Sequence, residues 1–347
     1  MSVEALVPTP SLMSRLARPR VVILLLLFMW LPLMTAVMVG DQLGAARHAI
    51  LLPAIPATLL LYAVAVAKWW ESKTAVIGAT LVLFWLLMAV SAPYLPLVDP
   101  NKPLAPFTTP GMAKMVSLDG ARQEMTFWLG ADFKGRDILS RVIWGCQRVI
   151  VWGISATLVA YVVGTVFGLV AGYLAGWWDE VISFLANVLL SFPVMVLFIL
   201  ILNYLGPSGF NIVIAVTFAS APAIMRIVRG LALDIKTRDY VYAAQTRGES
   251  ALWIMFIELL PNVRGPIIVD ACLRLGYTTV AITTLTFLGL GLQPPDPDWG
   301  LMIKEARNTA MVFKFSYQLV VPALAVSSLI LGFNLMADGL REMSLRD

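Results

Sequence analysis

The amino-acid sequence predicts an all-α protein that crosses a membrane several times. Of its 347 residues, 59% are hydrophobic and only 13% are charged, whereas about a quarter of the residues of a soluble domain are charged. The apolar residues fall in long stretches, and lysine and arginine concentrate in alternate connections between them. We therefore expect a polytopic membrane protein. The sequence contains no dense basic stripe with interleaved aromatic residues, so we expect no nucleic-acid partner.

Eight stretches are long and apolar enough to span a bilayer. A spanning helix needs about 20 residues, because it rises about 1.5 Å per residue through a hydrocarbon core of about 30 Å. In chain order the predicted spans are 21–39, 50–67, 74–95, 149–173, 181–205, 209–225, 265–290 and 318–337. The first follows Arg15, Arg18 and Arg20, but its apolar run is long and no clear small-residue cleavage site follows it. We expect an uncleaved anchor and not a signal peptide.

The basic residues predict the orientation of the spans, because cytoplasmic loops are enriched in lysine and arginine. Placing the N-terminus in the cytoplasm leaves only Arg47, Lys304, Arg307 and Lys314 in the short outer loops. The inner segments then hold Arg15, Arg18, Arg20, Lys68, Lys73, Arg226, Arg229, Lys236, Arg238, Arg247, Arg264, Arg341 and Arg346. This arrangement places both termini in the cytoplasm.

Two spans carry further packing signals. Gly164, Gly168, Gly172 and Gly176 are spaced four residues apart, so they predict a stripe of small residues along which a neighbouring helix approaches closely. Plain helix packing and a contact that slides during function are both compatible with this stripe. Pro193 lies inside the span 181–205 and predicts a kink there, since proline removes a backbone donor.

The predicted outer segment 91–148 differs from the spans. It begins with a proline-rich stretch that excludes a long helix. From Asp137 onward, apolar positions alternate with Arg141 and Arg148 in a helical pattern that follows Arg136. We expect an amphipathic helix that lies along the outer membrane interface and leads into the next span.

The sequence shows no catalytic or metal-binding pattern. It contains no phosphate-binding loop and none of the HExxH or GxSxG motifs. Cys146 and Cys272 lie outside any CxxC pattern and are expected at opposite membrane faces, and His48 is the single histidine. We expect all three to be structural, so the chain is predicted to be no enzyme and to hold no cofactor or metal of its own.

A charged segment, 226–264, separates two predicted spans. Residues from Arg238 to Arg247 favour a helix that stops at Gly248. Ser250 is suited to cap a second short helix, which Pro261 is expected to end before Gly265 opens the next span. A short helix with a polar face, held across the end of a bundle, indicates a docking site for another protein.

The stretch YVYAAQTRGESALWIMFIELLPN at 240–262 resembles the EAA loop of permease subunits of binding-protein-dependent ABC importers. Three further segments match in order: FWLGADFKGRDILSRVIWG, FLGLGLQPPDPDWG and FNLMADGLRE. Together they are similar to the C-type permeases of the dipeptide, oligopeptide and nickel importers, over residues 74–347. The resemblance implies a type I importer core of six helices, preceded here by two extra helices.

The resemblance also implies a division of the chain. Residues 1–73 form the N-terminal extension with its two extra helices. Residues 74–148 hold the first core helix and the periplasmic segment with its interfacial helix. Residues 149–347 form a five-helix core with the coupling loop 226–264.

The resemblance further implies the function and the partners. The loop would dock on an ATPase, and the docking residues carried over are Tyr240, Tyr242, Ala243, Ala244, Gly248 and Glu249. The expected partners are a second homologous permease, two ATPase subunits that bind ATP and magnesium, a periplasmic or lipid-anchored substrate-binding protein, and membrane lipid. The expected location is the bacterial inner membrane. Peptides are the expected cargo, and nickel chelates, opines or other small solutes are the alternatives.

Several positions depart from the family pattern. Tyr242 replaces the usual glutamate before the alanine pair, and Ile282 stands where a glutamate is common. Asp270 and Arg274 lie inside a span, four residues apart and so on one helix face. They are either a neutralising pair that fixes packing or a charged border of the translocation path. The same pair would be the ion relay of a secondary transporter, which is one rival reading; a membrane-embedded enzyme is the other.

Overall fold

A computed structural model of the chain describes residues 72–95, 97–118, 121–307 and 313–344. The predicted spans 21–39 and 50–67, and His48, lie outside the described residues. Within that part of the chain, five helices are long and apolar enough to cross a membrane, or six if one bent pair is a single span. Each of the six spans predicted from residue 74 onward coincides with one of these. The all-helical class is therefore confirmed for the described residues, apart from one small hairpin.

The first and last described helices pack against each other. Helix α1 runs from Lys73 to Ser91 and continues into a 3₁₀ turn, Ala92–Tyr94. Gly78 faces the backbone of the last helix so closely that a Cβ atom there would lie 2.3 Å from the Met336 nitrogen. The two helices therefore meet backbone to backbone.

Helix α2 (Ile138–Leu174) and helix α5 (Gly209–Ile235) form the centre of the bundle. A Cβ atom at Gly164, Gly168 or Gly172 would lie 2.7 Å from Ile224, Val228 or Ala232, respectively. The glycine stripe thus allows the close approach of these two helices. Gly176 does not belong to the stripe: it follows the end of α2, has φ +56°, and a Cβ atom there would meet nothing within 4 Å.

The start of α2 corrects the predicted interfacial helix. The helix is continuous over 37 residues from Ile138, capped by the Asp137 carboxylate, which accepts from the Ser140 amide. At about 1.5 Å per residue it is about 55 Å long, which exceeds the hydrocarbon core by several turns. The amphipathic segment from Asp137 is therefore continuous with the span and does not form a separate helix.

The span predicted at 181–205 is broken, more sharply than a kink. Helix α3 (Gly176–Leu190) and helix α4 (Val194–Leu205) meet at 90°. Pro193 is the residue that precedes α4, where its missing amide proton is of no consequence to the second helix. The proline therefore marks the break that the sequence predicted as a bend.

The loop between α5 and the next span is shorter than predicted. It holds helix α6 (Asp239–Thr246), then a short helix α7 (Ala251–Trp253), which Ser250 caps as predicted. A π-helical segment, Ile254–Leu259, follows and leads without a break into α8 (Leu260–Leu288). The prediction that Pro261 ends a helix is wrong, because the helical backbone continues from the π-helical segment through Pro261 into α8.

The remaining elements lie at the end of the bundle where α2 begins. Helix α9 (Trp299–Ala306) and a 3₁₀ turn, Phe313–Phe315, precede helix α10 (Tyr317–Ser344). An antiparallel hairpin of β1 (Met112–Leu118) and β2 (Ala121–Phe127) lies between α1 and α2. No strand was expected in this part of the chain. We call this the hairpin end, and the opposite end, which carries α6, the loop end.

Buried charges hold the hairpin end together. Arg141 is only 1% exposed, and Arg136 is also buried, so these two arginines do not form the exposed polar side of the amphipathic helix that the pattern predicted. Arg136 pairs with Asp132 and with Glu305 of α9, and Lys134 bonds Glu305 at 2.7 Å. Burial alone would raise the pKa of Glu305, but these cations outweigh it and hold its pKa below the usual value. Carboxylate partners are what permit the burial of these arginines.

Candidate functional site

Helix α6 packs on the bundle through two side chains. Val241 and Ala244 are fully buried, in a core cluster with Ile254 and Leu259 of the π-helical segment and Val228 of α5. An isolated helix of 8 residues is not stable in water. The buried pair therefore fixes both the presence and the orientation of α6.

Gly248 ends α6 with a left-handed residue. It has φ +79°, and a Cβ atom there would contact nothing within 4 Å. Its amide donates to the Gln245 carbonyl at 2.9 Å, and the Glu249 amide donates to the Ala244 carbonyl at 3.2 Å. This is the Schellman pattern, which requires a left-handed residue after the helix. The glycine is needed for its backbone conformation and not for space.

The opposite face of α6 is open. Tyr242 is 53% exposed and Tyr240 is 37% exposed, and Ala243 and Gly248 are also exposed. Glu249 is partly exposed and lies 3.6 Å from Arg247. Of the six carried-over docking residues, Ala244 differs: it packs inward and takes no part in the exposed surface. Two tyrosines flanking a small alanine thus form the exposed face of α6.

Polar contacts connect this loop to the ends of two spans. The Gln245 amide donates to the Tyr173 hydroxyl at 3.3 Å, and the Lys236 ammonium donates to the Gly172 carbonyl at 3.0 Å. On the other side of the loop, Arg247 donates to Glu258 in the π-helical segment at 3.3 Å. Helix α6 is therefore bonded to the end of α2, and its C-terminal turn to the start of the following span.

Asp270 and Arg274 form a pair in α8, as their spacing suggested. Arg274 Nε donates to Asp270 Oδ2 at 2.7 Å, and the Tyr161 hydroxyl of α2 donates to the same oxygen at 2.5 Å. The side chain of Arg274 is 19% exposed and that of Asp270 is 23% exposed. They face protein, and the tyrosine contact adds a third member that the sequence analysis missed, because nothing local relates residue 161 to residue 270.

The sequence analysis also missed two contacts between α3 and α5 near the loop end. Arg229 Nε donates to Asp179 Oδ1 at 2.5 Å, and Arg229 Nη2 donates to Oδ2 at 2.6 Å. Arg226 donates to the Asn187 side-chain carbonyl. A signal for this site was present, since Asp179 is a charged residue next to a predicted span. Its partner lies 50 residues away, beyond the reach of local patterns.

Ile282, which departs from the family pattern, and the two cysteines occupy ordinary surroundings. Ile282 is fully buried in an apolar cluster with Ala156 and Phe198. Cys146 and Cys272 are both free and buried. Among the described residues, no group of three or more histidine, cysteine or carboxylate side chains is placed to hold a metal.

Comparison with known proteins identifies the family. Residues 164–346 match the family described as the inner membrane component of binding-protein-dependent transport systems. The chain is 39% identical, over 215 residues, to the glutathione transport system permease protein GsiD of Pectobacterium atrosepticum; the match covers 62% of this chain and 71% of that protein. It is 35% identical, over 274 residues, to the GsiD proteins of Escherichia coli O6:K15:H31 and Shigella boydii serotype 4; each match covers 79% of this chain and 88% of the relative. The chain therefore belongs to the permease subunits of binding-protein-dependent ABC importers.

Proposed function

We propose that this permease forms half of a membrane path for small peptides and couples their uptake to ATP hydrolysis on partner subunits. The partners are a second homologous permease, two ATPases that bind ATP and magnesium, and a substrate-binding protein. In this arrangement the loop end lies in the cytoplasm with both termini, and the hairpin end faces the binding protein. The basic residues of the loop end support that orientation.

The observation that supports the coupling role is that α6 packs on the bundle with one face and exposes the other. Its inner face is fixed by Val241 and Ala244, and its outer face leaves Tyr240, Tyr242 and Ala243 open. Exposed tyrosines around a small residue suit a protein contact, because tyrosine buries much area and the alanine permits close approach. Residues on α6 that touch an ATPase would transmit its movement directly to the ends of α2 and α5.

The names of the relatives support a proposal for the cargo. GsiD proteins are named for the transport of glutathione, which is a tripeptide. We therefore propose a small peptide as the cargo and glutathione as the first probe. Nickel chelates, opines and other small solutes are the alternatives that uptake assays separate.

The test is uptake by the complete importer. The permease pair, the ATPases and the binding protein are reconstituted in liposomes, and ATP-dependent accumulation of labelled glutathione, a dipeptide and a nickel chelate is measured. We expect accumulation of glutathione or the dipeptide only with ATP and only with the binding protein present. Uptake driven by an ion gradient without ATP would indicate a secondary transporter and would contradict the proposal.

A further inference from the structure

Helix α3 buries fewer side chains against the bundle than the other long helices do. Ala186 is its only buried side chain. An apolar cavity of about 360 Å³ is lined by Ile182 and Leu185 of α3, Phe167 of α2 and Met225 of α5. Close packing is the norm in protein interiors. Shape complementarity therefore does not fix the position of α3 against the described bundle.

Polar contacts with α5 supply the missing connection. Arg229 donates hydrogen bonds to both carboxylate oxygens of Asp179, at 2.5 and 2.6 Å. The Ser183 hydroxyl also donates to Asp179 Oδ1, at 3.0 Å. A bidentate arginine–carboxylate pair fixes direction as well as distance. Arg226, one turn earlier on α5, donates to Asn187. The pair at Asp179 is thus the charged connection between α3 and α5.

Arg229 lies close to α6 along the chain. Helix α5 ends at Ile235, six residues after Arg229 and so about 9 Å further along the axis. Three residues, 236–238, then lead to α6, and Lys236 is bonded to the end of α2. Only this three-residue turn, anchored by Lys236, and the last six residues of α5 separate α6 from Arg229, so movement of α6 reaches Arg229 over a short distance.

From this geometry we propose that Asp179 and Arg229 are positioning residues that carry movement of α6 to the broken span formed by α3 and α4. Displacement of α5 pulls the Asp179 carboxylate and swings α3 across the apolar cavity. Helix α4, set at 90° beyond Pro193, moves with it. This inference rests on the proposed function, since it needs the ATPases to move α6.

The experiment measures the position of α3 directly, so it does not depend on the cargo. Spin labels are attached to Phe184→Cys on α3 and Leu324→Cys on α10, both exposed positions, while the buried Cys146 and Cys272 stay in place. The distance between the labels is compared in the complete importer with and without ATP. We expect ATP to change this distance in the parent, and Asp179→Asn to abolish most of the change.

Further variants separate positioning from folding. The exchange Asp179→Arg with Arg229→Asp should restore the distance change, because it rebuilds the pair in reverse. The matched control is Asp296→Asn, which removes an exposed pair between Arg148 of α2 and the loop before α9 at the hairpin end and should behave like the parent. With labelled glutathione as the probe, Asp179→Asn should raise the ATP hydrolysed per molecule transported by at least about fivefold, the lower range of allosteric coupling.

Each outcome decides the proposal. It is overturned if the distance in the parent does not respond to ATP, if Asp179→Asn responds like the parent, or if the exchange assembles but fails to restore the response. Loss of assembly in Asp179→Asn, Asp179→Glu and the exchange alike would make the pair a folding contact, which also overturns it. A parent that shows the distance change but transports no peptide would refute the proposed cargo and leave this inference standing.

Discussion

The hydroxyl of Tyr161 and the carboxylate of Asp270, 109 residues apart in the chain, are joined by a hydrogen bond of 2.5 Å between α2 and α8. Arg274 bonds the same carboxylate oxygen from one helical turn away. A charged carboxylate in an apolar bundle is thus held by a cation and a hydroxyl together, which compensates for part of its lost hydration.

The first prediction concerns this pair. Arg274→Met leaves Asp270 without its cation, so we expect a loss of about 1–3 kcal/mol in stability, the usual cost of an unpaired buried polar group. The neutral double variant Asp270→Asn with Arg274→Gln should lose less, because no charge is left alone. Thermal unfolding of the assembled importer measures both. If the double variant also transports every tested peptide like the parent, the pair does not border the path.

The second prediction contrasts two neighbouring alanines of α6. Ala243→Trp adds bulk to the exposed face and should leave the permease assembled, while substrate-stimulated ATP hydrolysis and uptake are lost. Ala244→Trp places the same bulk in a fully buried position and should lower the yield of folded protein, since overpacking a core costs about 1–3 kcal/mol. Normal stimulated hydrolysis in Ala243→Trp would count against the docking role of this surface.

The third prediction concerns the turn after α6. At φ +79° a side chain at Gly248 is strained by about 1–2 kcal/mol unless it tolerates left-handed backbone. Uptake should therefore fall in the order Gly248, Gly248→Asn, Gly248→Ala and Gly248→Pro, because asparagine tolerates this conformation best among these replacements. The proline variant also lacks the amide that bonds Gln245. Equal uptake by the asparagine and proline variants would show that the turn geometry is irrelevant.

The fourth prediction tests the contact between α2 and α5. A Cβ atom at Gly168 would lie 2.7 Å from Val228 Cβ and 2.8 Å from the Met225 carbonyl, whereas one at Gly230 meets nothing within 4 Å. Gly168→Ala should therefore destabilise the permease by about 1–3 kcal/mol, and Gly230→Ala should be neutral or slightly stabilising. Both changes add one methyl group to a helical glycine. Thermal unfolding that ranks them equally would argue against close helix contact.

The fifth prediction concerns acid stability at the hairpin end. The cations around Glu305 hold its folded pKa below the usual 4.5. Its stabilising contribution is therefore complete above that value and is lost as the pH falls through the lower, folded value. Glu305→Gln should remove this part of the pH dependence. The buried Asp298 has a raised pKa and acts in the opposite sense, so the difference between parent and variant isolates Glu305.

The test is the free energy of unfolding of the parent and of Glu305→Gln, measured between pH 3 and 7. The gap in stability between the parent and Glu305→Gln should narrow as the medium becomes more acidic. The control is Glu124→Gln, at an exposed position on β2, which should keep a nearly constant gap. A gap that widens in acid would contradict the role of the cations.

The sequence predicted the features that repeat along the chain. Long apolar runs marked the six described spans, and the spacing of Gly164, Gly168 and Gly172 marked the contact with α5, because both follow from helix periodicity. The turn at Gly248 and the cap at Ser250 were also predicted, since each depends on one residue and its immediate neighbours.

The errors concern pairings between distant residues. Arg136 and Arg141 were expected on the polar side of an amphipathic helix, because their shared partner Glu305 could be identified only once α9 was placed beside α2. The continuation of α8 through Pro261 depends on the wide π-helical turns before it, which have no simple sequence signature. The open face of α6 was predicted from resemblance, but only packing showed that Ala244 points inward.

The π-helical segment Ile254–Leu259 makes the two supports of α6 mechanically unequal. On one side, α5 is regular from Arg229 to Ile235 and braced by charge. On the other, wide turns are followed at once by Pro261 and, within α8, Pro266, neither of which donates a backbone hydrogen bond. We therefore expect the α5 side of α6 to be more rigid than the side formed by the π-helical segment. We expect α6, when a bound partner moves it, to tilt about its α5 side. The movement would then be transmitted mainly through α5.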